Sequence, residues 1–160
     1  MNLLGDVFGI EEWLAILRIG IGLWWIKSVF HKDIGKFLRT GMVSWTVEMA
    51  ESHPWTGYGN AIIRTVTRTS SWFPYLVLLG ELAVGVGLTF GFLTPVSAIV
   101  GIFLNINYIL LAGVKLKDVS INPCFRVEQG QNWSMIVAEV VILAVGAGAV
   151  WSIDSFLGIF

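Results

Sequence analysis

Residues 72–114 read WFPYLVLLGELAVGVGLTFGFLTPVSAIVGIFLNINYILLAGV, and Glu81 is the only charged side chain among them. One interruption occurs, at Gly91, Thr94 and Pro95, where a helix breaks because glycine is permissive and proline lacks a backbone donor. Each side holds about 20 apolar residues, which at 1.5 Å of rise make roughly 30 Å of helix, the thickness of a hydrocarbon core. The stretch reads as a tight hairpin of two membrane-spanning helices, 72–92 and 95–114.

Two further runs lie outward from the hairpin. Residues 13–30, WLAILRIGIGLWWIKSVF, supply about 27 Å of apolar helix. Residues 133–151 are bounded by Trp133 and Trp151, a residue type that favours membrane interfaces. The expected fold is all-α: a single membrane domain over 1–160, built as a four-helix transmembrane bundle. Composition agrees, since 56% of residues are hydrophobic and only 13% charged, outside the range of soluble domains. The lipid bilayer is the expected surrounding. A net charge of -1 gives no basic footprint for nucleic acid. The N-terminus has Asp6, Glu11 and Glu12 but no Lys or Arg before the first apolar run, unlike a cleaved signal, so that run is expected to stay in the mature chain.

The connection 31–71 is too long to be a plain loop. Leu38, Met42, Trp45 and Met49 follow i, i+4, i+7, i+11, which predicts an amphipathic helix lying in the interface. After a break at His53, Pro54 and Gly57, a second interfacial helix is expected from Asn60, with Arg64 and Arg68 suited to anionic headgroups. Lys32, Lys36, Arg39, Arg64, Arg68, Lys115, Lys117 and Arg126 all fall in the first and third connections. By the positive-inside rule both termini belong on the non-cytoplasmic side, and a prokaryotic plasma membrane is the expected location.

Ionisable groups inside spans cost ~2.5–3.5 kcal/mol on insertion scales and are normally partnered. Arg18 lies about 7 Å from the outer end, Glu81 and Asn105 near the midplane, and Glu139 about 9 Å from the inner end. An arginine stem spans several ångströms, so Arg18 is expected to reach Glu81 or Asn105. Gly101, Asn105, Tyr108 and Ala112 share one helix face, which is expected to turn inward.

One reading makes these groups pins of helix register. The other makes them a site for a quinone, with Arg18, Asn105, Tyr108 and Trp25 binding it and Glu81 and Glu139 relaying protons. Cys124 is the single cysteine, so the chain alone makes neither a disulfide nor a thiolate metal cluster. His31 and His53 lie beyond the first span, which leaves a bis-histidine haem inside the bundle unsupported. The residues point to no metal, haem or flavin, so electrons for a quinone would come from elsewhere.

LRIGIGLWWIKSVFHK with Arg18, Gly22 and Lys32, LLGELAVGVGLTFGFLTP with Glu81, Gly85 and Gly91, and GAGAVWSID ending at Asp154 together resemble the DoxX/DoxD family. The resemblance implies a four-helix membrane subunit of a quinone-linked oxidoreductase, similar to the small subunit of thiosulfate:quinone oxidoreductase and working beside other subunits. Two features depart from the pattern: the long amphipathic 31–71 connection, and Val150 where relatives tend to carry a basic residue. The alternative is a non-catalytic accessory subunit of a larger respiratory or photosynthetic membrane complex.

Overall fold

The computed structural model describes residues 8–159, and within them it is all-helical. Four long helices form the body: α1 (Ile10–Phe30), α5 (Phe73–Phe90), α6 (Thr94–Ala112) and α7 (Phe125–Ala144). Between α1 and α5 run α2 (Ile34–Lys36), α3 (Met42–Glu51) and α4 (Thr56–Arg68), and α8 (Ile153–Leu157) closes the chain. α1 packs mainly on α5 and α6 mainly on α7, with α5 beside α6 and α1 beside α7 closing the ring.

The three apolar runs first read from the sequence are α1, α5 and α6, each long and apolar enough to cross a membrane. The chain is an integral membrane protein. Large apolar side chains such as Leu79, Phe90, Ile99 and Phe103 face outward, as lipid permits and water does not. The fourth expected run differs. Helix α7 starts earlier, at Phe125, and stops at Ala144, so residues 133–151 are not one helix. Beyond Val145 the chain turns through Gly146 and Trp151, both at positive φ, and no α-helix continues through such residues.

The α5–α6 hairpin has the expected punctuation. Gly91 ends α5 in the left-handed conformation (φ 63°), the usual glycine stop, and prolines occupy the first turns of α5 and α6, where a missing N–H costs nothing. Close approach of α1 and α5 depends on Gly22 and Gly85: a Cβ on Gly22 would collide with the Thr89 backbone, and one on Gly85 with Ile26.

Helices α2–α4 form a roof over the end opposite the hairpin turn. A π-helical turn at Phe37–Gly41 joins α2 to α3; of the predicted apolar face Met42 and Met49 are buried, Leu38 is half-buried within the π-helical turn and Trp45 is exposed, so the face is buried only in part. α4 begins at Thr56, four residues before the expected start, with Val66 buried and Arg64 and Arg68 exposed. The roof is tied to the bundle at its far edge. His53, fully buried, lies 3.0 Å from the Leu110 carbonyl, and Ser52 receives the backbone N–H groups of Lys117 and Asp118. Asp118 in turn accepts from the Ser120 amide and hydroxyl, which holds its carboxyl below the ordinary carboxylate range.

Candidate functional site

Two groups of buried polar side chains occupy the bundle, one at each end. At the hairpin end Arg18 has no exposed surface. Its guanidinium donates to the carbonyls of Ala147 (3.0 Å), Leu88 (2.7 Å), Val150 (3.3 Å) and Trp151 (2.7 Å). It therefore sits where α5 ends and just past the end of α7, where carbonyls lack helical partners and the dipoles favour a cation. Asp154 does the converse: its carboxylate accepts from Leu93 and Thr94, 2.7 Å each, at the start of α6. Gly91 must be glycine there twice over, for its positive φ and because a Cβ would meet the Arg18 guanidinium.

The expected contact of Arg18 with Glu81 is thus not made. Arg18 is spent on backbone at one end, and Glu81 finds its counter-charge at the other. The reason is axial: Leu88 and the turn after α7 bring four acceptors around Arg18 before its stem could descend to Glu81, two helical turns deeper on α5.

Toward the roof, Lys32 Nζ lies 2.5 Å from Glu81 Oε2, with the lysine side chain 24% exposed and the glutamate 2%. Lys32 also donates to Ser28 Oγ at 3.2 Å. The Tyr108 hydroxyl donates to the other Glu81 oxygen, so both oxygens of this deep carboxylate are occupied. From the sequence alone Lys32 is a topology signal and part of the family pattern rather than a site residue. The available signal was its long stem, able to carry charge from the helix end toward a carboxylate that needed one.

A second carboxylate follows. Glu139, fully buried, accepts from Trp25 Nε1 at 2.8 Å and from Asn105 Nδ2 at 2.9 Å. Gly101 makes room for it, since a Cβ there would strike the carboxylate. The predicted small and polar face of Gly101, Asn105, Tyr108 and Ala112 does turn inward. The two clusters touch through aromatic rings, Trp25 and Tyr108 having centroids 6.5 Å apart.

Between these clusters and the roof lies a cavity of about 750 Å³, within the size range of small-molecule sites. Glu81, Lys32, Tyr108, Trp25 and Asn105 all line it. Glu139 stands behind the wall and holds two of the lining residues in place, and Arg18 lies outside it altogether. The roof contributes Tyr58, which packs on His53 and whose phenol burial pushes above its ordinary range, leaving a neutral O–H at physiological pH.

A family model described as DoxX matches residues 13–113. The match runs through the 31–71 roof and ends before α7, so Arg18, Lys32, Glu81, Asn105 and Tyr108 fall inside it while Glu139 and Asp154 fall outside. No curated protein and no solved structure matches the chain. With nearly two-thirds of its length matched, including most of the residues that line the cavity, the chain belongs to the DoxX family.

Proposed function

We propose that the chain is the membrane subunit of a quinone-linked oxidoreductase and that the cavity beneath the α2–α4 roof receives the quinone head. One observation carries this reading: Glu81, buried at bilayer depth, is held between a lysine that reaches the exterior and a tyrosine that lines the cavity. A purely structural pin has no need of that path.

The lining fits such a group. Aromatic and aliphatic walls suit a flat apolar ring, while Tyr108, Asn105 and Lys32 supply hydrogen-bonding groups for ring oxygens. A bound quinone would carry two electrons and two protons per turnover. The chain's own residues would manage the protons: Tyr108 exchanges one at its hydroxyl, Glu81 takes or returns it, and Lys32 connects Glu81 to water. Glu139 orients Trp25 and Asn105 from behind. Electrons would come from a partner subunit, which the family resemblance suggests oxidises a reduced sulfur compound such as thiosulfate.

In the bilayer, α7 would supply the fourth crossing. Its apolar part begins at Trp133, and its polar first turns, with Glu128, Gln131 and Asn132, face the cavity rim. The roof and its Lys and Arg residues would lie on the cytoplasmic side, with both termini opposite.

The accessory-subunit reading is favoured by Arg18 and Asp154, whose side-chain hydrogen bonds are all with backbone. Purification in mild detergent, followed by solvent extraction and quantification of quinone, separates the two. Wild-type protein should carry quinone and Glu81→Gln should lose most of it while unfolding at nearly the same temperature. Quinone content unchanged by Glu81→Gln, or absent from wild type, would leave the accessory role.

A further inference from the structure

Threonine in a helix normally bonds its hydroxyl to a carbonyl three or four residues back. Several hydroxyls in this chain do so, among them Ser44, Thr65 and Thr69. Thr46 on the roof helix α3 does not: its Oγ1 is buried and has no hydrogen-bond partner among the described residues. An unsatisfied buried hydroxyl costs about 1–3 kcal/mol relative to a satisfied one, so its environment needs a reason.

Thr89 and Thr94 share this condition, but at the hairpin end they are wedged against glycines, Thr89 on Gly22 and Thr94 on Gly148, and neither lines the cavity. Thr46 does line it. A threonine's staggered χ1 wells exchange hydroxyl and methyl, so a side chain whose residue borders the cavity can present its hydroxyl there once an acceptor or donor arrives. Of the other hydroxyls on the cavity wall, those of Ser28, Thr65 and Tyr108 already have partners, and that of Tyr58 is not among the buried unpaired atoms.

We infer that Thr46 is the second polar anchor of the cavity's ligand, received from the roof, and that the ligand head therefore carries two hydrogen-bonding oxygens, one met at Tyr108 and Glu81 and the other at Thr46. This rests on the quinone reading and narrows it. The ligand class is a ring with two separated oxygens, a quinone or its hydroquinone, in place of a simple phenol or a sterol with one. It also makes the roof part of the binding site.

The test uses the full chain in detergent, with 2-decyl-1,4-benzoquinone as probe and quenching of tryptophan fluorescence as readout, since Trp24 and Trp25 line the cavity. Thr46→Val keeps the shape and removes the hydroxyl; it should bind the probe about five- to tenfold more weakly, the worth of one hydrogen bond. Thr46→Ser, which keeps the hydroxyl, should stay within about twofold of wild type on the same reasoning. The ligand-free Thr46→Val protein should melt no lower than wild type, because an unsatisfied polar atom has been removed. Should the valine variant fail to fold, Thr46→Ala carries the same expectation for binding. Wild-type affinity in Thr46→Val alongside weakened binding in Glu81→Gln overturns the Thr46 anchor and leaves the quinone site standing. No binding of the probe by wild type overturns both.

Discussion

The two ends of this bundle hold their buried charges in opposite ways. At the hairpin end Arg18 and Asp154 give every hydrogen bond to backbone, tying the ends of α5 and α6 to the turn after α7. At the roof end Lys32, Glu81 and Tyr108 bond to one another, as do Trp25, Glu139 and Asn105, and the wall of a cavity runs past them. Backbone acceptors are fixed by the fold and cannot move a proton; side chains that face each other and a cavity can. The difference separates charges that hold the structure from charges available for chemistry, although Arg18, Glu81 and Glu139 were equally conspicuous in the sequence.

That contrast is broken most directly at Arg18. Arg18→Met leaves four carbonyls without their donor and should destabilise the protein by about 3–5 kcal/mol, read as a large fall in thermal unfolding temperature in detergent. The protein that remains folded should still bind quinone. A variant as stable as wild type but empty of quinone would place Arg18 in the site after all.

At the other end the ion pair is sharpened by a double-mutant cycle. Lys32→Met strands a buried carboxylate and should be clearly destabilising, whereas Lys32→Met with Glu81→Gln should recover about 1–3 kcal/mol of that loss. Additive losses in chemical or thermal unfolding would mean that the pair is not coupled.

The smallest effect belongs to Tyr108→Phe. It removes one hydroxyl that reaches Glu81 and should weaken quinone binding by up to about tenfold with little change in unfolding temperature. A pronounced loss of stability with unchanged binding would assign Tyr108 to the scaffold.

Much of the architecture was legible because hydrophobic length is a one-dimensional property. Residues 13–30, 72–92 and 95–114 are apolar for the thickness of a bilayer, and the Gly91–Pro95 break had to be a turn. The amphipathic roof was legible by the same periodicity. The fourth run was overread: Trp133 and Trp151 look like interface markers, but Gly146 and Gly148 let the chain leave the helix and wrap back onto Arg18 and Asp154.

The partners of the buried charges were legible only in part. The sequence marked Arg18, Glu81 and Glu139 as charges needing partners, and the inward face of α6 with Asn105 and Tyr108 followed from its spacing. It could not say that Arg18 meets Ala147 and Trp151, 129 and 133 residues away, or that Lys32 meets Glu81.

What the sequence determined alone is that the chain lives in lipid, that three helices are long enough to cross it, and that several ionisable groups must be sheltered there, because burial of apolar length and the cost of a charge in hydrocarbon are properties of segments. The tertiary structure decided which charge shelters against which partner and that a cavity lies beside Lys32 and Glu81. Those outcomes depend on the rotation and axial offset of one helix against another, to within a single turn, and that information is carried by glycine contacts such as Gly22 with Gly85 once the helices are packed together.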